Sequence, residues 1–349
     1  MSFSAILINW YLTHKRDLPW RNTSDPYKIW LSEIILQQTR VEQGLPYYLK
    51  FIKKYPDVKK LAKADEDEVL KLWQGLGYYS RARNLHFTAK EIATKYKGNF
   101  PSNYHEIRAL KGIGDYTAAA IASFAYNLPH AVVDGNVMRV LSRYLGINEA
   151  IDSSKGKKML AEAAQELLDF KNPAVYNQAI MEFGATFCVP VKPDCENCPF
   201  NYSCEAFRLN KVNELPFKSK KTKITKRYFH YFIFDYKGKT YLHKRKSGDI
   251  WQGLYEFPLH EANSYLEFEE LLKSQLLKDV ARHTKMRLIK TSSIKKHILS
   301  HQHIFAQFYH IHLNKPFTNK RYIEVPFEAL NNYALPRLIH RYLEEETLL

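Results

Sequence analysis

The chain has 349 residues, of which 45% are hydrophobic, and 52 Lys and Arg against 36 Asp and Glu give a formal net charge of +16. That length can bury two ordinary cores, and the lack of any run of eighteen apolar residues argues against a transmembrane helix. The positive excess points to a polyanionic partner, with nucleic acid favoured over a membrane surface.

The first twenty residues, MSFSAILINWYLTHKRDLPW, have neither a basic region ahead of the apolar stretch nor a small-residue cleavage site. They read as an amphipathic helix of the mature protein, not a signal peptide. From Ser4 to about Phe207, apolar residues recur at three- and four-residue intervals, predicting helices over 28–43, 65–74, 79–96, 102–109, 115–126, 135–145, 155–169 and 173–187. Gly98-Asn99-Phe100-Pro101 and Asn127-Leu128-Pro129 punctuate that pattern. Residues 218–227, KSKKTKITKR, carry six basic residues in ten and no core-forming face. They read as an exposed tether within a linker over 208–227, with phosphate contact as an added role. Beyond it, Tyr228–Tyr236, a turn at Lys237-Gly238-Lys239, and Thr240–Lys244 predict a β-hairpin. Helices near 263–280 and 335–346 complete a smaller domain over 228–349. The expected fold is mainly α over 1–207, followed by a C-terminal α+β domain.

All four cysteines, Cys188, Cys195, Cys198 and Cys204, fall within seventeen positions at the spacing C-x6-C-x2-C-x5-C. Disulfides more often staple distant segments, whereas four close thiolates can surround one metal centre, either zinc or an iron–sulfur cluster. Clustered thiols also fit a reducing, cytoplasmic location. Upstream, residues 110–121, LKGIGDYTAAAI, link a short helix to a longer one. Gly112 and Gly114 let that backbone turn tightly and approach a ligand closely, and the amides of the following helix start favour an anion. This is a helix–hairpin–helix suited to gripping a DNA phosphate without reading sequence.

Helix–hairpin–helix plus this cysteine spacing resembles the base-excision DNA glycosylases that hold a [4Fe-4S] cluster, and most closely the adenine DNA glycosylases (MutY). The resemblance is carried by LPWR (18–21), SEIILQQTRV (32–41), LWQGLGYYSRARNL (72–85), the hairpin, VVDGNVMRVLSR (132–143) and the cysteine motif. It implies a structural [4Fe-4S] cluster on the four cysteines. It also implies a monomeric, nucleoid-associated enzyme whose partner is double-stranded DNA carrying adenine opposite 8-oxoguanine or guanine, with no membrane partner.

Glu33 shares its predicted helix face with Ile29, Trp30, Leu36 and Gln37. An isolated helix glutamate is usually a solvated surface residue. The resemblance instead makes Glu33 the catalytic acid that protonates adenine N7 and later activates water, and burial would suit it to that work. Asp134 precedes a Gly-Asn step into a helix and reads by itself as an N-cap. The resemblance adds stabilisation of an oxocarbenium-like sugar, through charge or a covalent adduct, with Asn136 orienting the group. Tyr116 stands where the related endonuclease III type carries a lysine nucleophile. A phenol cannot form an imine, so base removal without strand scission is expected, and a bifunctional pyrimidine glycosylase/lyase is the alternative. Trp20, Arg21 and Gln178 match the adenine pocket, Gln38 and Tyr78 match wedges beside the flipped base, and Lys192 is a candidate phosphate contact.

The last third resembles a Nudix-like mismatch-reading domain. Residues 251–258, WQGLYEFP, match the family's G-L-W-E-F-P segment with Tyr255 replacing tryptophan. HILSHQHI (297–304) aligns with the loop that probes 8-oxoguanine, normally F-S-H. Here Leu299 keeps an apolar wedge, and Ser300 and His301 retain the polar contacts. The carboxylates of a Nudix box are absent after Gly253, so nucleotide pyrophosphatase activity is not expected.

Overall fold

The computed structural model describes residues 2–219 and 223–348. Lys220, Lys221 and Thr222, in the middle of the expected linker, lie outside the described residues. The chain divides into two compact units, residues 1–63 with 84–220, and residues 64–83 with 221–349. Among the described residues no helix is long and apolar enough to cross a membrane.

The first unit is helical. Its elements are α1 (Phe3–His14), α2 (Pro26–Leu36), α3 (Val41–Lys54) and α4 (Val58–Lys63); α5 (Glu66–Trp73) belongs to the second unit, and α6 (Ser80–Lys95) begins there and continues into the first. Then come α7 (Tyr104–Ala109), α8 (Asp115–Tyr126), α9 (Gly135–Tyr144), α10 (Ser154–Glu166), α11 (Pro173–Thr186) and α12 (Glu205–Arg208). Helix α11 packs on α1, α8 and α9, while α8 also packs on α2 and α7. The core between α1, α9 and α11 is built from Phe3, Leu7, Trp10, Val140, Leu141, Tyr176, Ile180 and Phe183. Burial of such apolar side chains is the main force holding these helices together.

The helix expected over 28–43 stops at Leu36. Gln38 turns into the left-handed region at φ 55°, and α3 starts at Val41. Apolar residues on both sides of Gln37-Gln38-Thr39-Arg40 keep a helical period across the break, so periodicity conceals it. The two helices then pack tightly. A Cβ on Gly44 would lie 2.8 Å from Leu36 Cδ2, closer than two carbons tolerate.

In the second unit, β1 (Thr225–Asp235), β2 (Lys239–Lys244), β3 (Tyr255–Glu256) and β4 (Leu259–Ala262) are followed by α13 (Phe268–Leu271) and α14 (Gln275–His283). The chain continues through β5 (Met286–Thr291), β6 (Lys295–Ile298), β7 (Gln302–Leu313), β8 (Ile323–Pro326) and α15 (Arg337–Glu345). One sheet runs β4-β1-β7-β5, with β6 also paired to β7, and a second runs β3-β2-β8. Strand β1 alternates cleanly. Phe229, Tyr231 and Ile233 face a core closed by Leu338, Ile339 and Tyr342 of α15. Phe232 and Phe234 face the opposite core with Leu277 and Val280 of α14. A strand buried on both faces is mainly apolar; here the buried run Phe229–Phe234 is interrupted only by His230, which hydrogen-bonds the Tyr309 hydroxyl.

Three sequence expectations change here. The turn at Lys237-Gly238 forms, with both residues at positive φ and a single bridge from Tyr236 to Lys239. Its arms do not make a hairpin ladder, however. Strand β1 pairs parallel with β7 and antiparallel with β4, whereas β2 pairs with β3 and β8. Two-sided burial gives β1 a central place that a local hairpin could not satisfy. The basic tether also ends early, because Thr225, Lys226 and Arg227 already belong to β1, and Arg227 bridges Asp249 and Glu261 at 2.6 Å each. Finally, the helix expected over 263–280 is two helices, with Ser274 capping the second through the Leu277 amide.

Phe308 is fully buried, and its ring stacks on Tyr342 with centroids 3.8 Å apart. Phe308→Ala should therefore cost the second unit about 3–5 kcal/mol. A urea titration should show its transition at lower denaturant, with the transition of the helical unit unmoved.

Candidate active site

Helix α2 is buried nearly all round: Ile29, Trp30, Leu31, Ser32, Ile34 and Ile35 are all inaccessible, and Glu33 among them is 6% exposed. Asp25 starts the helix by accepting from the Tyr27 amide, with Pro26 at the first position. A carboxyl carried into such surroundings resists ionisation. Burial, and then the charge of Asp134, push Glu33 up to about 7, although the Tyr116 hydroxyl and Arg21 oppose them. The Tyr116 hydroxyl donates to Glu33 Oε2 at 2.5 Å.

Asp134 caps α9, its Oδ1 accepting from the Val137 amide at 2.7 Å. Its Oδ2 accepts from the Asn136 side chain at 2.8 Å. Burial raises the Asp134 pKa while these donors hold it down. Asn136 is itself fixed, because its Oδ1 accepts from Arg139 at 3.0 Å. The close approach of α9 to α11 depends on Gly184, where a Cβ would come within 2.8 Å of Asn136 Cβ and 3.0 Å of its carbonyl oxygen.

Glu33, Tyr116, Asp134, Asn136, Trp20, Arg21 and Gln178 line one cavity of about 170 Å³. Arg16 and Glu182 also line it. Glu182 is buried and accepts from Arg16 at 2.7 Å and Arg21 at 2.6 Å. Burial pushes its pKa up, but those hydrogen bonds prevail and hold it down at about 2. Tyr11 donates to Gln178 Oε1 at 2.7 Å. The cavity thus holds an ionised carboxylate at one wall and a carboxyl poised near neutrality at another. Sequence reasoning missed Glu182, Arg16 and Tyr11. The available signal was Gln178 and Glu182 at i and i+4, polar residues on one face of the mainly apolar YNQAIMEFGATF.

Gln38, Gly112, Gly114 and Lys192 are not among the residues lining that cavity. Gln38 and Lys192 are exposed at φ 55° and 47°. Gly112 has φ 80°, and a Cβ there would press on Asn84 at 2.7 Å. Gly114 caps α8 without a side chain, leaving that helix's first amides open. Lys111 Nζ lies 4.3 Å from the Phe87 ring centre.

In the second unit, Tyr78, Leu299, Ser300 and His301 line another cavity of about 380 Å³ together with Trp251 and Gln302. The Tyr78 and Ser300 hydroxyls hydrogen-bond to each other. Segment 64–83 is built into this unit: Asp67 accepts from Tyr255 at 2.9 Å, and Arg83 donates to the Gln252 carbonyl at 2.6 Å.

The four cysteines are free thiols and line one small cavity of about 30 Å³, walled by Phe3, Val140, Phe183 and Phe200. Arg143 donates to Cys188 Sγ at 3.5 Å, and the Phe200 amide donates to Cys198 Sγ at 3.4 Å. Among the described residues no group of three or more His, Cys, Asp or Glu is placed to hold a metal ion.

Residues 31–169 match the HhH-GPD superfamily of base excision DNA repair proteins, and 230–345 match the NUDIX domain. An adenine DNA glycosylase of Buchnera aphidicola (subsp. Baizongia pistaciae) is 38% identical over 90% of this chain and 87% of its own length. A second, from the Schizaphis graminum subspecies, is 31% identical over 98% of each chain. The chain belongs to the adenine DNA glycosylase family. The human adenine DNA glycosylase is 41% identical over 59% of this chain and 39% of its own. Among solved structures, a thermostable thymine-DNA glycosylase aligns with TM-score 0.56 and 33% identity, covering 59% of this chain and 95% of the other. An endonuclease III–DNA complex shares the fold at TM-score 0.51 and 20% identity, with the same coverage.

A carboxyl whose pKa is higher folded than unfolded favours folding while protonated, and that advantage is lost as pH rises through the folded value. Between the ordinary 4.5 and about 7, Glu33 therefore withdraws stability, on the order of 3 kcal/mol by pH 8. Glu33→Gln cannot ionise and should escape this loss. Its melting temperature should gain on that of the native protein between pH 5 and pH 8, measured by calorimetry.

Proposed function

We propose that this chain hydrolyses the N-glycosidic bond of adenine in duplex DNA, opposite 8-oxoguanine or guanine, and leaves the strand intact. The observation that carries this reading is Glu33, pushed up to about 7 in the same cavity as Asp134. Near neutral pH such a carboxyl is populated in both forms, as a group that first donates and then accepts a proton requires. The Tyr116 hydroxyl occupies Oε2, leaving Oε1 to carry the acidic proton to adenine N7. The C1′–N9 bond then breaks and its electron pair leaves with the base. Positive charge develops on the sugar, opposed by the Asp134 carboxylate, whose orientation the Val137 amide and Asn136 fix. Ionised Glu33 then takes a proton from the water that attacks C1′, which restores the acid.

Among the described residues no lysine lines this cavity, and the hairpin's Lys111 is held against Phe87. Schiff-base chemistry of the endonuclease III type has no amine to use there, so the lyase alternative is not favoured. Residues 1–207 carry excision in this reading, the linker that follows ends where β1 begins at Thr225, and the C-terminal domain reads the opposite base through Ser300 and His301. The enzyme works as a nucleoid-associated cytoplasmic monomer, and the net charge of +16 draws it to DNA.

The four thiols are proposed to hold a structural [4Fe-4S] cluster. Four thiolates could serve either a zinc ion or a cluster, and the cluster is preferred because the C-x6-C-x2-C-x5-C spacing accompanies the helix–hairpin–helix of this family. A cluster would supply the positive charge that these thiols need to ionise, since burial, with the neighbouring cysteines adding to it, raises Cys195 and Cys204 and pushes Cys198 up to about 12.

Glu33→Gln should abolish adenine release in single-turnover assays on A:8-oxoguanine duplexes, with a loss beyond the roughly hundred- to ten-thousand-fold typical of a positioned acid–base group. DNA binding should survive; unchanged release would remove Glu33 from this role. The native rate should fall as pH rises past about 7. Because the Tyr116 hydrogen bond lowers the Glu33 pKa, Tyr116→Phe should move that alkaline limb to higher pH. Iron and acid-labile sulfide should be present in equal amounts in the purified protein, and zinc without sulfide would replace the cluster.

A further inference from the structure

Strand β6 alternates at the lip of the second unit's large cavity. His297 is half-buried, with its ring 5.8 Å from Trp251, whereas Ile298 is 64% exposed. Leu299 closes a tight turn, its amide donating to the Gln302 carbonyl at 2.8 Å. Ser300 and His301 form the exposed tip of that turn. The Leu299 side chain is half-buried and packs against the core shared by β1 and α15. Leu299 also lines the cavity, but much of its side chain is spent on this core, although the family resemblance gives it the wedge. Ile298, Tyr78 and Ser300 line the same cavity, and Tyr78 is 48% exposed. A β-branched aliphatic held in water at such a lip, beside an exposed aromatic ring, is an unfavourable arrangement until something apolar covers it.

We propose that Ile298, and not Leu299, is the apolar side chain with which this loop contacts the base stack around the mispaired purine. The proposal rests on the function argued above, which makes duplex DNA the occupant of this face. Apolar side chains of this size act on duplexes by pressing between base steps from the minor groove. Ile298 has three features suited to that contact. It projects from a strand, where its direction is fixed by pairing with His303 on β7. It stands two residues before Ser300. The opposite wall of the cavity is also rigid, because Asp249 accepts from both Arg227 and Arg245 at 2.6 Å and anchors the turn that carries Trp251.

The test compares Ile298→Ala, Leu299→Ala and the full-length native protein on duplexes with adenine opposite 8-oxoguanine or guanine. Dissociation constants, single-turnover release and melting temperatures would be measured. Ile298→Ala should melt with the native protein yet bind the 8-oxoguanine duplex roughly tenfold or more weakly, the value of re-covering one large aliphatic side chain. Leu299→Ala should melt lower but bind normally at temperatures where it is folded. Native-like binding by Ile298→Ala overturns the proposal, as does weakened binding by Leu299→Ala at unchanged melting temperature. A native protein that binds these duplexes but releases no adenine overturns the functional reading instead, while the binding comparison still decides the role of Ile298.

Discussion

The structure depends on carrying one carboxyl, Glu33, into a helix with no wet face. Left alone there it would hold its proton more tightly still, since desolvation disfavours its charged form. The Tyr116 hydroxyl and Arg21 draw it back to about 7. Most features of the first unit serve that balance. Asp25 and Pro26 start α2 at the right residue, the left-handed Gln38 ends it, and Gly44 lets α3 close over it. Other carboxylates nearby are kept distinct by their partners. Glu182 has two guanidinium groups and is held ionised, whereas Asp134 has amide donors and no direct cation, leaving its charge available to oppose charge on a bound sugar.

Arg21 links these groups. It hydrogen-bonds Glu182 and lowers the Glu33 pKa through its charge. Its guanidinium also lies 5.7 Å from the Tyr11 ring centre, and the Tyr11 hydroxyl donates to Gln178. The residues expected to recognise a purine and those expected to act on it thus form one connected polar network, which transmits changes in either direction. Substituting Arg21 would disturb recognition and acid strength together, so its effect on rate could not be read as lost binding alone.

Legibility in the sequence followed the kind of physical signal available. Cap and period signals are local, which is why α8, α9 and α11 were found within a residue or so and Asp134 was recognisable as an N-cap. The break at Gln38 escaped because it interrupts the backbone without interrupting the apolar period. Partners in the sheets escaped for a different reason. That β1 lies beside β7, some 77 positions away in register, follows from global packing and not from the turn that follows β1. Glu33, Tyr116 and Asn136 became candidates by resemblance, since a glutamate or a tyrosine in a helix is ordinary by itself. Glu182 needed only its own helix: a charged residue four positions from Gln178 in an apolar run signals a buried polar partner.

The same reasoning explains why the lesion-reading loop is harder to read than the excision site. Catalytic groups are constrained by proton chemistry, so Glu, Asp and Asn at given places are diagnostic. An apolar contact with a base stack asks only for exposed hydrophobic surface in the right direction, and strand alternation decides direction. A one-residue change of register exchanges the two faces completely. Leu299 and Ile298 are equivalent as chemistry and differ in burial: one packs partly against the core with Tyr342 and Leu338, the other stands 64% exposed at the end of β6. Identity alone could not separate them, whereas the structure does: Ile298 ends the ladder with β7, and Leu299 sits beyond it in the turn, bonded to Gln302.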